Sequence, residues 1–150
     1  MGENALHKWI ITNNPLVRDK LNESIDVDYR PCSYLELLQA ARDEIHEGAV
    51  LLTHPLSGSV KPGETPYKSI MLAGGKRSFS GTGAGSSKAL KTDFASVELI
   101  ESAVETCQKF LQHARWPEPE KLSEQVHRDF QVVDYTLIIS AFPSAGISRD

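Results

Sequence analysis

Cysteine is scarce in this sequence, since its 150 residues include only Cys32 and Cys107. The two are far apart and form no CxxC pair, so neither a zinc site nor a thioredoxin-like redox motif is predicted. A chain of this length buries roughly 68–70% of its unfolded surface and needs no disulfide to fold. We therefore predict free thiols in a reducing compartment, with no metal and no cofactor.

Basic charge is not in excess either, because 16 Lys and Arg stand against 20 Asp and Glu, a formal net charge of −4. Nucleic-acid binding requires a basic face, so no nucleic-acid partner is predicted. Long hydrophobic runs are also lacking: the longest apolar stretch, 137–142, is too short to span a bilayer. The first residues do not have the pattern of a signal peptide. We expect a cytoplasmic protein without a membrane partner.

Apolar runs and helical periodicities alternate along the chain, which predicts an α/β fold. The last element has helical periodicity, which we favour, although 130–132 and 135–139 would also suit strands. The predicted elements, in chain order, are a strand at 8–12, a helix at 15–22, a strand at 25–29, a helix between Ser33 and Gly48, strands at 49–53 and 69–73, a helix from Asp93, and the last element at 121–142.

These elements predict a single domain, residues 1–150, with a small, open, mainly parallel sheet of about four strands flanked by helices. The expected arrangement is a Rossmann-like or flavodoxin-like three-layer fold with a helical C-terminal part. Because residues 49–53 are apolar throughout, we place that strand at the centre of a parallel sheet. Residues 74–91 are rich in Gly and Ser and predict a flexible loop. They match neither the P-loop nor the dinucleotide fingerprint.

Similar polar segments follow the first and third predicted strands, TNNP at 12–15 and THP at 53–55. If these strands run side by side in one direction, their carboxyl ends share a sheet edge, where ligands of open α/β sheets bind. The side chains that would converge there are those of Thr12, Asn13, Asn14, Thr53 and His54. The alternative is that Asn and Pro only form turns.

The connection at residues 54–67 is long for a compact domain, and such loops are commonly functional. Its small residues allow a close backbone approach, and its hydroxyls and lysines suit a phosphate or carboxylate. The alternative is a solvated loop held by prolines. The ligand-binding candidates from this connection and the residue after it are Ser57, Gly58, Ser59, Lys61, Tyr67 and Lys68.

His54 is the best candidate for acid/base catalysis, because histidine titrates near neutral pH. The sequence names no partner that would orient it, so a hydrogen-bonded loop residue is the alternative. On the helix from Asp93, an acidic face formed by Glu98, Glu101 and Glu105 suits either solvation or the docking of a partner.

Four segments resemble the GrdX family, small proteins encoded beside the glycine, sarcosine and betaine reductases of amino-acid-fermenting anaerobes. They are ITNNPLV at 11–17, LTHPLSGSVKPGETPYKS at 52–69, LIESAVET at 99–106 and DFQVVD at 129–134. The resemblance implies an accessory protein of amino-acid reduction, with reductase components as partners and no catalytic residues to carry over.

Together with the polar loops, the resemblance predicts binding of a small anionic metabolite, or of a reductase component, at residues 12–15 and 53–69. The alternative is a small enzyme acting on a phosphorylated or acyl intermediate, with His54 as acid or base and Lys61 as charge stabiliser.

Overall fold

The computed structural model describes residues 7–56, 65–75, 92–113 and 119–147. This part of the chain contains an α/β fold in which a sheet is flanked by helices. The strands are β1 (Lys8–Thr12), β2 (Asp26–Tyr29), β3 (Ala49–Leu51) and β4 (Ser69–Gly74). The helices are α1 (Pro15–Leu21), α2 (Tyr34–His46), α3 (Phe94–His113) and α4 (Glu124–Ile139), with a 3₁₀ turn at Pro119–Lys121.

The last predicted element is a helix, α4, so the helical interpretation is confirmed and the strand alternative is wrong. The predicted flexible loop lies outside the described residues except for Gly74, which ends β4, and Gly75.

The sheet is open and mixed, with the strand order β2-β1-β4-β3. β1 pairs in parallel with β2, whereas β4 runs antiparallel to both β1 and β3. The prediction of a mainly parallel sheet is therefore wrong, and the Rossmann-like or flavodoxin-like arrangement is not confirmed. β3 also lies at an edge of the sheet, not at its centre.

The connection between β3 and β4 gives the physical reason for this difference. Two parallel strands need a crossover connection, which usually contains a helix. The segment at 54–67 has three prolines and two glycines, a composition unsuited to a helix. The chain instead returns antiparallel.

Alternating side chains of the sheet build a core on each of its faces. On one face, Trp9 and Ile11 of β1 pack in a buried cluster with residues of α2 and α3, including Leu38 and Ile100. On the other face, Ile10 packs in a second cluster with residues of α1 and with residues in and just after α4. Helices thus cover both faces of the sheet.

Two helix starts follow from their capping residues. Asn14 is the N-cap of α1, where its side chain accepts a hydrogen bond from the Leu16 amide and Pro15 is the first helical residue. Ser33 and Glu36 form the predicted capping box at the start of α2. Because only Asn13 separates β1 from the capping Asn14, α1 begins at the carboxyl end of that strand.

Candidate functional site

The carboxyl ends of β1 and β3 lie at one edge of the sheet, because both strands run antiparallel to β4. Thr12 is paired with Ser69, the first residue of β4. Thr53 also reaches the beginning of β4, since its Oγ1 accepts a hydrogen bond of 3.1 Å from the Met71 amide. The two polar segments therefore share an edge as predicted, but they are separated by β4 and are not direct neighbours.

Asn13 holds this edge together by side-chain hydrogen bonds to three residues in two other segments of the chain. Its Nδ2 donates to the carbonyl oxygens of Cys32 and Pro66, at 2.8 Å each. Its Oδ1 accepts from the Lys68 amide at 2.8 Å. Both amide N–H groups are thus used internally, and the side chain is buried. Asn13 fixes the backbone that leads into Lys68.

A buried carboxylate, Asp134 of α4, lies at the centre of a second set of hydrogen bonds. Its Oδ1 accepts from the Ser69 amide at 3.0 Å. Its Oδ2 accepts from Ser69 Oγ at 2.6 Å and from Asn14 Nδ2 at 3.0 Å. Thr12 Oγ1 lies 2.6 Å from Ser69 Oγ and extends the network to the end of β1. α4 is thereby joined to β4 and to the start of α1.

The hydrogen-bond donors around Asp134 indicate that it is ionised, and they determine which way the Ser69 and Thr12 hydroxyls donate. Both carboxyl oxygens face hydrogen-bond donors, which is the geometry of a carboxylate. Ser69 Oγ donates to Asp134, so the short contact between the two hydroxyls is a hydrogen bond from Thr12 to Ser69. Burial raises the pKa of Asp134, whereas the hydrogen bonds from Ser69 and Asn14 and the charge of Lys68 oppose that rise.

Lys68 precedes β4 and borders a small pocket that is open to solvent on one side. We call this the Lys68 pocket, and it has room for about one water molecule. It is lined by apolar side chains of α4, by two tyrosines and by the buried polar groups at the sheet edge. Its lining residues are Tyr34, Thr65, Tyr67, Lys68, Phe130, Val133, Asp134 and Leu137.

The Lys68 side chain is unusual because a lysine is rarely buried without a partner. Lys68 is only 5% exposed. Across the described ranges, its Nζ makes neither a hydrogen bond nor an ion pair closer than the usual 4 Å limit. Burial lowers the pKa of Lys68 to about 8, and the negative charge of Asp134 partly offsets that effect.

Tyr67 borders the same pocket and is fixed against α4 through its hydroxyl group. The Tyr67 hydroxyl lies 2.7 Å from His127 Nδ1 and accepts a hydrogen bond of 3.0 Å from Gln131 Nε2. His127 Nε2 lies 2.7 Å from the Pro119 carbonyl oxygen, which can only accept. His127 Nε2 therefore carries the proton, and in the neutral imidazole Nδ1 accepts from the Tyr67 hydroxyl.

The remaining candidates from the sequence lie apart from this pocket or outside the described residues. His54 is exposed, and its Nδ1 accepts a hydrogen bond of 3.1 Å from the Leu56 amide. In the part of the chain that the structure covers, no carboxylate orients its ring. The candidates outside that part are Ser57, Gly58, Ser59 and Lys61.

The acidic face of α3 is partly engaged in ion pairs. Glu101 lies 3.5 Å from Arg42 and 3.3 Å from His46, both on α2. Glu105 pairs with Lys109 one turn later at 3.8 Å, and Glu98 is exposed. Glu101 thus contributes to the contact between α2 and α3.

Sequence reasoning missed Asp134 as a site residue. The available signal is its position four residues before Ile138, because residues at that spacing lie on one face of a helix. Ile138 is buried in the core, so a charged residue on that face must have partners. What the sequence could not supply is their identity, because Asn14 is 120 positions away.

The described residues contain neither a cluster suited to a metal ion nor a helix suited to a membrane. Within them, no group of three or more His, Cys, Asp or Glu side chains could hold a metal ion. Among the helices resolved there, none has the length and apolar character needed to cross a membrane.

Comparison with known protein families places the chain beside one described family. The family model described as GrdX-like protein matches residues 9–143, which include every described residue of the sheet edge and of the Lys68 pocket. No curated protein and no solved structure matches the chain.

Proposed function

Because the chain belongs to the GrdX-like protein family, we propose that it is an accessory protein of glycine-reductase-type amino-acid reduction that binds a small anionic metabolite in the Lys68 pocket. The observation that carries the binding part is Lys68 itself, a buried cation without a hydrogen bond or ion pair of its own among the described residues.

The energetic argument starts from the cost of burying a charge. A buried ammonium loses its hydration, and this loss is offset only when a counter-charge or acceptors replace the water. Asp134 attracts Lys68 electrostatically, but its oxygens already accept three hydrogen bonds. An incoming carboxylate would supply both charge and acceptors, so its binding relieves a cost already present in the free protein.

The pocket also limits the size of the ligand. Its free space is that of about one water molecule, so only a small group reaches the lysine without side-chain movement. Apolar side chains such as Phe130 and Leu137 lower the local dielectric and strengthen an ion pair. A carboxylate on a short carbon chain fits these conditions better than a nucleotide does.

Under this proposal the polar segment at 12–15 has a positioning role. The side-chain oxygen of Asn13 accepts a hydrogen bond from the Lys68 backbone amide, and the backbone amide of Asn13 donates to the Lys68 carbonyl. The backbone of the lysine is therefore fixed on both sides. Thr12 and Asn14 fix Ser69 and Asp134 in turn. These groups hold the pocket in shape and do not contact the ligand.

Isothermal titration calorimetry with acetate, glycine, betaine and inorganic phosphate tests the proposal. We expect saturable binding of at least one of these compounds to the full chain and its loss in Lys68→Met. Lys109→Met is the matched control, because it removes an exposed lysine and should leave binding unchanged. Circular dichroism verifies that both variants are folded. Equal binding by Lys68→Met and the unaltered chain, or no binding of any compound, would refute the proposal.

A further inference from the structure

We infer that Lys68 is also a covalent site, whose side-chain amine forms a Schiff base with a small α-oxo carboxylate. This inference rests on the proposed function, since the same pocket must first admit the anion. It narrows the ligand to compounds with a carbonyl group next to a carboxylate.

The geometry around Lys68 is that of a reactive amine. Lysines that form Schiff bases are desolvated, so that the amine is available as a nucleophile. Lys68 is buried, and the pocket that it borders is lined by Phe130, Val133 and Leu137. The described residues provide no ion pair that would hold its Nζ as an ammonium.

The backbone of Lys68 is held as well, which positions the side chain. The Lys68 amide donates to Asn13 Oδ1 at 2.8 Å. The Lys68 carbonyl accepts from the Asn13 amide at 3.3 Å, and Thr12 Oγ1, whose proton is donated to Ser69, lies 3.3 Å from the same oxygen. A fixed backbone reduces the freedom that the amine would otherwise lose on reaction.

The protonation of Lys68 agrees with this geometry. With a pKa of about 8, about a quarter of the amine is neutral at pH 7.5, against roughly a thousandth for a lysine of ordinary pKa. The neutral amine is the nucleophile, so its higher concentration accelerates attack at neutral pH.

The reaction balances without an oxidant or reductant. The Nζ lone pair attacks the carbonyl carbon and forms a C–N bond, while the carbonyl π electrons move to oxygen, which takes a proton. Nitrogen loses a proton, and its lone pair then forms the C=N bond as the hydroxyl leaves, after protonation, as water. The product is a protonated imine and one water molecule, with one net proton taken up from solvent.

The carboxylate requirement follows from the charge of the product. A protonated imine keeps the positive charge that Lys68 had, in the same desolvated surroundings. In an α-oxo acid the ligand's own carboxylate is adjacent to that nitrogen and neutralises it. Asp134 attracts that nitrogen only without direct contact, and an uncharged aldehyde brings no counter-charge of its own, so its adduct is less stable in the pocket.

Reductive trapping tests this inference on the full chain. The protein is incubated with glyoxylate at pH 7.5 in the presence of sodium cyanoborohydride and mapped by peptide mass spectrometry. We expect the reduced adduct to form at Lys68 roughly tenfold or more faster than at exposed lysines such as Lys109. Acetate should slow labelling of Lys68 by competition, and Lys68→Arg should lose the adduct at that position.

The outcomes separate this inference from the proposed function. Acetate binding without a glyoxylate adduct at Lys68 overturns the Schiff base and leaves anion binding intact. Labelling of lysines in proportion to their solvent exposure, with no label at Lys68, also overturns the Schiff base. Equally fast trapping of propionaldehyde at Lys68 overturns the α-oxo carboxylate assignment. Absence of both acetate binding and the adduct removes the inference and the proposed function together.

Discussion

Asn14 connects local and long-range structure through the two ends of one amide group. Its oxygen caps α1 by accepting from the Leu16 amide at 2.9 Å. Its nitrogen donates to Asp134 and to the Gln131 carbonyl oxygen on α4, at 3.0 Å each. The capping role follows from the sequence Asn-Pro at a helix start. The role toward α4 does not, because nothing local in residues 12–15 specifies an acidic partner.

The residue-scale prediction uses Asn14→Asp, which keeps the capping acceptor but places a second carboxylate next to Asp134. We expect a loss of about 3 kcal/mol in unfolding free energy at pH 7, because the variant replaces a donor by a like charge. Mutual repulsion raises the pKa of one carboxyl in the folded variant. The stability of the variant relative to the unaltered chain is therefore highest below the pKa of about 4 that a carboxyl has in the unfolded chain. It falls as the pH rises through the raised pKa of the folded variant.

Urea unfolding between pH 4 and 8 measures this effect. Asn14→Ser is the control, because serine keeps a capping oxygen and introduces no charge. The serine variant should lose stability by an amount that depends little on pH. An equal pH dependence for the two variants would contradict the assignment of Asp134 as a carboxylate hydrogen-bonded to Asn14.

At the scale of elements, the sequence predicts which segments form helices and strands better than it predicts which elements lie side by side. Capping residues and apolar periodicity are local, so α1, α2 and β1 could be predicted closely. The position of β3 could not, because the same apolar run suits a central parallel strand and an edge strand beside β4. The antiparallel direction of β4 was readable in the proline-rich connection at 54–67, which does not favour a crossover helix.

The Lys68 pocket likewise depends on how α4 docks. Phe130, Val133 and Leu137 read in the sequence as part of one apolar helix stripe, yet they line the pocket, and Val133 is exposed. Asp134 and Ile138, on the adjoining face, are buried. The hydrogen bonds of Asp134 to the sheet edge and of Tyr67 to α4 accompany this rotation of α4, and both are long-range contacts.

The element-scale prediction concerns the Tyr67 hydroxyl, which joins the start of β4 to α4 through His127 and Gln131. Tyr67→Phe removes two hydrogen bonds and should cost about 1 kcal/mol of unfolding free energy. Hydrogen exchange of the amides at 124–131 should accelerate, because this end of α4 loses its anchor.

Tyr135→Phe is the matched control on α4 itself. In the ranges that the structure describes, the Tyr135 hydroxyl makes no hydrogen bond, while its ring packs against the core around Ile10. Removal of the Tyr135 hydroxyl should leave both the unfolding free energy and the hydrogen exchange of α4 nearly unchanged. Equal effects of the two variants would show that Tyr67 does not hold α4.

On the scale of the whole molecule, two apolar cores on opposite faces of the sheet meet a buried polar network at one edge. The network contains both a carboxylate and a lysine, and both have pKa values shifted against their charged forms by burial. Such groups lower the stability of the folded state at neutral pH compared with apolar residues of the same size. Asp134 joins α4 to β4 and to α1, whereas Lys68 makes no side-chain hydrogen bond or ion pair among the described residues, so the presence of Lys68 needs a reason other than folding.

The whole-molecule prediction follows from the pKa of Lys68, which falls from 10.5 in the unfolded chain to about 8 in the folded one. Between these values the unfolded chain binds more protons, so the contribution of Lys68 to stability rises with pH over this window. It is fully present above pH 10.5 and lost as pH falls through 8. The Lys68 contribution to the unfolding free energy therefore differs by about 3 kcal/mol between these two pH ranges.

Lys68→Met should therefore be more stable than the unaltered chain at pH 7, by an amount below about 3 kcal/mol because Asp134 loses a favourable neighbour. Denaturant unfolding at pH 7 and pH 10.5 measures the gain, which should shrink at the higher pH. Lys109→Met, at an exposed position, should show no such gain. A stabilised Lys68→Met that no longer binds anions would mean that the lysine is kept for binding at the expense of folding, as is common at functional sites. A destabilised variant at both pH values would instead assign Lys68 a structural role and leave the pocket without its cation.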